Sequence, residues 1–547
     1  MFSPQKKFIF YLVLGTIFFV PIFSQASWSQ NQIFFVDPVY DLYGRNKIEA
    51  QLLKTTNRFY FYADKQWYQN FNQKSELDNR LYNLSSNFEY KTYPILTGLF
   101  GDEDKPGVDN DSRLVIILEP LKGEFGGYVR IIDKYPSFTA GESNEGQIIY
   151  LNSDSILKPE PETLNYQLAH EFTHLITLNQ KPDAEVWFYE LISEVAAKII
   201  GFNTEAITKQ RAQNLLYFTS IKLTEWANND KDYAKVYLLG LYLQEQFSGQ
   251  LFSEALKYPS ESGLVSLEEA LKKHQTNFEN VFLNWLIANI VNDCSLGKQY
   301  CYQDPALKGY SVIAYSYYLP TQSQSSLSVT DSIKILEAKW QKIIGGSGIM
   351  KLKFTIPEET PIYKIPYIVE SIDGKKTIGF LDFTATNIQE IYVNDMGTKN
   401  KAIYFIPFIG LNGDDGRIYY YSWQASNLES TKQQEEEILQ ALLKKIEELK
   451  KQVALLQARL AMQKTYQNNP SCAVFSRDLY YGMNSDEVKC LQRFLANLGP
   501  EIYPEGLVTG YYGPLTQAAV QRYQALKGII TTGYFGPLTR AKVNQEL

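Results

Sequence analysis

Residues 170–174 read His170-Glu171-Phe172-Thr173-His174, and they take two of the three histidines in a chain of 547 residues. On a helix the two imidazoles, four positions apart, share one face and can grip a single zinc ion, with the intervening carboxylate beside the water on that metal. The flanks supply the helix. Leu164 and Leu168 upstream, and Leu175, Ile176 and Leu178 downstream, carry an apolar face past the polar pentad. The competing reading is a pair of hydrogen-bonded core histidines.

A catalytic zinc needs a third protein ligand and one position left open. Working outward, the next helical segment is WFYELISEVAAKII, Trp187 to Ile200, which offers Glu190 and Glu194 four apart on one face. One can bind the metal while the other fixes the tautomer of a ligand histidine through its distal nitrogen. Here the chain resembles the gluzincin metallopeptidases, the thermolysin-like and hyicolysin-like enzymes whose second helix carries an E-x-x-S-[DE] pattern, read in this chain as Glu190-Leu-Ile-Ser193-Glu194. The resemblance covers roughly residues 90 to 290. It implies a thermolysin-like α+β domain, a zinc cofactor held by His170, His174 and Glu190, and Glu194 as the partner of His170. Glu194 on the metal is the alternative assignment. The interval from His174 to Glu190 is shorter than in thermolysin and requires a tighter turn.

The same likeness implies that Glu171 is the general base and acid of peptide-bond hydrolysis. It points to Tyr233, in DYAKVYLLGLYLQEQF, as the oxyanion donor, with Tyr237 and Tyr242 as rivals. It also implies a substrate-pairing edge strand before the zinc helix, expected at SNEGQIIYLN, residues 143–152. His274 lies in a charged KKHQ stretch that reads as surface. The loop GDEDKPGVDNDSR at 101–113 is rich enough in carboxylates for calcium, but Pro, Gly, Asn and Asp together are ordinary turn chemistry, and the turn is the preferred reading.

Lys6 and Lys7 precede an apolar stretch from Phe8 to Phe23, and Ser24-Gln25-Ala26 ends it with small residues where a signal peptidase cuts. This predicts a cleaved signal peptide over 1–26 and a secreted product, with an uncleaved membrane anchor as the alternative. Two local disulfides, Cys294–Cys301 and Cys472–Cys490, fit that destination. The net charge of −7 loses two positive charges with Lys6 and Lys7 and becomes −9, which disfavours nucleic acid as a partner.

The chain divides by composition into a multidomain α+β protein. A metallopeptidase domain over 27–310 precedes short β runs separated by Gly, Pro, Asn and Asp, which predict a β-sandwich accessory domain over 311–426. Over 428–466, Leu439, Leu442, Ile446, Leu449, Val453, Leu456 and Leu460 form a heptad seam, a coiled-coil spacer or a site of homo-oligomerisation. The segment 470–547 contains an internal repeat, VTGYYGPLTQAAV at 508–520 and TTGYFGPLTRAKV at 531–543. With the preceding EVKCLQRFL helix it resembles the small three-helix peptidoglycan-binding domain of bacterial cell-wall enzymes. Tyr511, Tyr512 and Gln524 are its candidate groove residues.

Together these readings predict a secreted, wall-associated zinc metalloendopeptidase acting on polypeptides. Two alternatives are a hydrolase of peptidoglycan cross-links and a non-catalytic structural or adhesive wall protein.

Overall fold

The computed structural model describes residues 28–123, 125–156, 158, 161–410, 416–428, 440, 443–454, 457 and 474–547. The leader expected at 1–26, Cys472 and most of the heptad seam lie outside the described residues. A first unit, ending at Ser430, opens with β1 (Asn31–Phe35), β2 (Lys47–Thr55) and β3 (Phe59–Asp64) as an antiparallel meander. Helices α1 (Lys65–Asn70), α2 (Lys74–Asn87) and α3 (Tyr93–Phe100) lead to β4 (Leu114–Glu119), and β5 (Gly127–Val129) and β6 (Ile148–Asn152) complete a six-stranded sheet of order β1-β2-β3-β4-β6-β5. The parallel strands β3, β4 and β6 are apolar without alternation because both of their faces are covered. Phe61, Ile116, Leu118, Ile149 and Leu151 enter the core beneath the helices, and Tyr62, Val115, Ile117, Ile148 and Tyr150 enter a second core on the opposite face.

This topology corrects one expectation. The stretch QIIYL is not the sheet edge: β6 runs between β4 and β5, and the edge strand is β5, which among the described residues pairs with β6 alone. Gly127, the first residue of β5, is extended strand pressed against the zinc-motif helix.

The helical layer follows: α4 (Pro161–Gln180), α5 (Val186–Ile200), α6 (Glu205–Leu215), then β7 (Ser220–Lys222), α7 (Asp230–Phe247), α8 (Gln250–Leu256), α9 (Gly263–Lys273) and α10 (Phe278–Val291). Helix α5 is buried over most of its length and ends at Gly201, whose left-handed φ of 84° a residue with a Cβ rarely adopts. Helix α7 packs closely on it at Gly240, where a Cβ would stand 2.8 Å from the Leu191 carbonyl oxygen and 2.8 Å from Val195 Cγ1. After α10 the Cys294–Cys301 disulfide closes a short loop. Cys490 is also disulfide-bonded.

The β-rich segment comprises β8 (Tyr315–Leu319), β9 (Ser326–Ile333), β10 (Glu337–Lys339), β11 (Gln341–Gly345), β12 (Gly348–Thr355), β13 (Lys364–Ser371), β14 (Lys376–Asp382), β15 (Ile388–Met396), β16 (Asn400–Phe405) and β17 (Tyr419–Leu428). Strands β9, β17, β12 and β15 form one layer, and β14, β13, β16, β11 and β8 another, joined by the single Met396–Asn400 pairing. The layers face each other through Phe354 and Trp423 against Phe405. This segment is built onto the helical layer: β10 pairs with β7, Trp340 Nε1 donates to the Leu286 carbonyl at 3.0 Å, and Phe408 stacks on Phe282. One hydrophobic core runs through both.

The second unit begins at Thr431. Residues 443–454 are helical, and of the seam residues Ile446, Leu449 and Val453 are half exposed. Three helices, Asp486–Asn497, Pro514–Leu526 and Pro537–Asn544, pack around Leu491, Leu495, Tyr512, Val520, Tyr523 and Phe535. The repeat has a physical basis. Gln492 accepts from the Gly510 N–H and donates to the Tyr511 carbonyl and Thr516 hydroxyl, while Gln524 accepts from the Gly533 N–H and donates to the Tyr534 carbonyl and Thr539 hydroxyl. Each Gly-Tyr-x-Gly-Pro turn is thus locked by a buried amide from the preceding helix. Gln524 and Tyr512 are therefore interior residues rather than groove residues, and only Tyr511 of the three candidates is exposed, at 44%. Among the described residues no helix is long and apolar enough to cross a membrane.

Candidate active site

Helix α4 presents His170 and His174 to α5, and the turn between these helices is short because it is tied from several sides. The Tyr189 hydroxyl donates to the Lys181 carbonyl at 2.5 Å and accepts the Ala184 N–H at 2.9 Å, and Lys181 Nζ donates to the Tyr258 carbonyl at 2.8 Å. Glu185 holds the far side by accepting the Gly263 N–H at 2.7 Å. The chain is thereby returned so that Glu190 meets both imidazoles. His170 Nε2 and His174 Nε2 stand 3.1 Å apart, and Glu190 Oε2 lies 3.3 Å from the first and 3.5 Å from the second.

Two nitrogens and one oxygen at these separations suit the edges of a tetrahedron: ligand bonds of about 2.0–2.1 Å place neighbouring donors roughly 3.3–3.4 Å apart. Glu190 Oε2 is buried, with the two imidazole nitrogens as its polar neighbours. The His170–His174–Glu190 cluster fits a small divalent cation of borderline softness, with zinc first by donor type. The charge balance agrees, since Glu171, Glu190 and Glu194 are buried at one place and Arg211 is the guanidinium set against them.

The imidazoles are also held from behind. His170 Nδ1 lies 3.5 Å from Glu194 Oε1, and His174 Nδ1 lies 3.3 Å from the Ser193 hydroxyl. Ser193 and Glu194, neighbours on α5, thus stand behind one ring each. Glu194 is itself gripped: Arg211 Nε donates to Oε2 at 2.7 Å, Arg211 Nη2 to Oε1 at 2.9 Å, and the Tyr166 hydroxyl to Oε1 at 3.1 Å. Burial would lower the pKa of His170, but the Glu190 hydrogen bond and the charges of Glu190 and Glu194 outweigh it and raise it. Burial would raise Glu190, yet the two histidines hold it well below the carboxylate range. Glu171 contacts no such donor. Burial, opposed by His174 and reinforced by Glu190 and Glu194, pushes its carboxyl up to about 8.

These groups line a cleft of about 630 Å³ with Tyr40, Phe125, Gly127, Tyr128, Asn228 and Tyr233. Gly127 of the edge strand lies flat on Glu171: a Cβ there would come within 3.0 Å of Glu171 Cγ. Tyr233 faces the cleft and its hydroxyl donates to Asn228 Oδ1 at 2.8 Å. Its rivals do not line the cleft, since Tyr237 is bound to Thr208 and Tyr242 donates to the Gln299 carbonyl. His274 pairs with Glu254 at the surface. In the acidic loop, Asp111 pairs with Arg113 and Asp109 accepts from Trp28 Nε1.

Sequence reasoning missed Tyr40, Tyr166, Ser193, Arg211 and Asn228. Ser193 was inside the quoted pattern without a role. Arg211 shares a helical face with the buried Thr208, Ala212 and Leu215, a spacing that marks it as turned inward. Tyr40 and Asn228 sit in turns, where no periodicity flags them.

The family model for a peptidoglycan binding domain matches residues 484–543. The C-terminal segment carries a peptidoglycan-binding domain. No curated protein matches the chain. Solved structures with some similarity include the pre-peptidase C-terminal domain of collagenase from Bacillus anthracis, at 8% identity, covering 21% of this chain and 96% of that chain with a TM-score of 0.15. Another is PliG, a periplasmic lysozyme inhibitor of g-type lysozyme from Aeromonas hydrophila, at 10% identity, covering 21% of this chain and 98% of that chain with a TM-score of 0.14. Similarity at that level defines neither fold nor function.

Proposed function

We propose that this chain is a secreted zinc endopeptidase of the gluzincin type, with a thermolysin-like catalytic part, kept at the cell wall by its C-terminal domain. The observation that carries the reading is the meeting of His170 Nε2, His174 Nε2 and Glu190 Oε2 within 3.1–3.5 Å, with the buried Glu171 beside them and the free edge of β5 alongside.

His170, His174 and Glu190 would hold the zinc, which when bound supplies Lewis acidity at the scissile carbonyl and a water acidic enough to react near neutral pH. Glu171 accepts a proton from the attacking water and delivers it to the leaving amine nitrogen. The backbone of β5, with Gly126 and Gly127 bare of side chains, pairs with an extended peptide and lays it along Glu171. Glu194 and Ser193 keep the imidazole rings in register, and the Arg211 fork holds the Glu194 carboxylate in place.

The test is metal analysis and casein cleavage on the chain beginning at Ser27, for wild type and Glu171→Gln. Close to one zinc per chain in both, with cleavage lost in the variant, supports the reading; no zinc in the wild type sinks it. The peptidoglycan-binding domain favours a second reading, in which the wall cross-link is itself the substrate. Release of peptides from purified sacculi, with casein left intact, would select it.

A further inference from the structure

The Tyr40 side chain enters the cleft from the first fifty residues, far in sequence from the zinc motif, and four observations bear on it. It lines the same cavity as His170, Glu171, Glu190 and Tyr233. Its ring is clamped, stacked on Tyr128 at 4.5 Å and 11° and set edge-on to Phe125 at 4.7 Å and 74°. Its backbone is fixed, because the Tyr40 N–H donates to the Asp37 carbonyl at 3.0 Å, the Tyr40 carbonyl accepts the Lys122 N–H at 3.0 Å, and Lys122 Nζ donates to the carbonyls of Pro38 and Val39. The neighbours Val39, Leu42 and Tyr43 face solvent.

A second phenol shares the cavity. Asn228, in a left-handed conformation at φ 57°, accepts the Tyr233 hydroxyl on its Oδ1 at 2.8 Å and lines the same cleft as Tyr40. A phenol of ordinary pKa, about 10, keeps its proton at neutral pH. A rigid, protonated hydroxyl beside buried carboxylates has one use in hydrolysis, which is to donate.

Resting on the endopeptidase reading above, we propose that Tyr40, clamped by Tyr128 and Phe125 in the cleft it shares with Tyr233, is a catalytic residue whose hydroxyl donates a hydrogen bond to the scissile carbonyl oxygen as it becomes anionic. The balance is that of simple hydrolysis. A C–O bond forms from water, the C–N bond breaks, Glu171 carries the proton to the amine, and Tyr40 keeps its own.

The experiment uses the full chain from Ser27 with Tyr40→Phe, Tyr233→Phe and the double variant. Tyr40→Phe retains the ring against Tyr128 and Phe125 and deletes the donor alone. Zinc content, thermal midpoint, kcat and KM on a casein-derived peptide, and affinity for a peptide phosphonamidate, a tetrahedral anion, are measured together. The expected result for Tyr40→Phe is zinc content and midpoint as in wild type, kcat about 10²-fold lower with little change in KM, and phosphonamidate affinity weakened by a comparable factor. Unchanged kcat and phosphonamidate affinity in Tyr40→Phe, with the wild type active, overturns the role of Tyr40 alone. A wild type that binds zinc but cleaves no peptide and binds no phosphonamidate overturns the endopeptidase reading and Tyr40 with it.

Discussion

Arg211 shows how much a single side chain carries at this site. Glu194 is 1% exposed, and its charge is answered by the Arg211 fork and the Tyr166 hydroxyl. Removing the guanidinium leaves a buried carboxylate unpaired, which costs about 3–5 kcal/mol. Arg211→Met should lower unfolding free energy by that order in urea titration, and should weaken zinc retention about 10–100-fold against a competing chelator, because the ring of His170 loses its support. Arg211→Lys should recover little of either, since an ammonium cannot bridge both carboxylate oxygens in the planar fork. Zinc retention at wild-type level in Arg211→Met would contradict this account. The pairing within each helix was legible in the sequence, because helical spacing alone places His170 beside His174 and Glu190 beside Glu194. The groups that tune the cluster were not. Tyr40 is one of 40 tyrosines, in a turn, some 130 residues before the motif, and only the fold brings it there.

At the scale of elements, the end of β4 holds a second titratable group with a readable consequence. Glu119 is fully buried and accepts the Tyr128 hydroxyl of β5 at 2.5 Å; burial, only partly offset by that bond, raises its carboxyl to about 8. In the unfolded chain it titrates near an ordinary carboxylate value of about 4.3. Below that value both states hold the proton and the contribution to stability is complete. Between about 4.3 and 8 the folded state alone holds it, so stability falls as pH rises, by at most ~1.4 kcal/mol per pH unit. Glu119→Gln should therefore flatten the decline of the thermal midpoint between pH 5 and 8, and a parallel decline in the variant would refute the assignment. The strand β4 itself was readable as an apolar run, while β5 was not, because the glycines that let it lie on Glu171 also imitate a turn. In the C-terminal unit the repeat gave the register, yet repetition does not reveal which side of each helix is inside. Gln492 and Gln524 look like surface residues until the turn they lock is seen.

For the whole molecule, the peptidoglycan-binding domain and the proposed catalytic site belong to separate compact units. Deleting residues 431–547 should abolish co-sedimentation with purified sacculi and leave kcat/KM on casein within about twofold, as expected for sites in distinct domains with their own cores. A large loss of casein turnover would show that the units act as one. Composition marked this division, but it could not show how firmly the β-rich segment is joined to the helices. That attachment depends on Trp340, Phe408 and β10 meeting residues more than fifty positions away.

The clamping of Tyr40 over the cleft also has a consequence in time. The parts of the site arrive in the order Tyr40, β5, the zinc-motif helix, α5 and finally Asn228 with Tyr233. The sheet that carries the first of them closes only when β4 and β6 insert beside β3, contacts that are distant in sequence and slow to form. A chain emerging N-terminus first therefore has no complete cleft until nearly half its length has emerged and folded. On the endopeptidase reading proposed above, the order of assembly itself delays cleavage until the chain is folded.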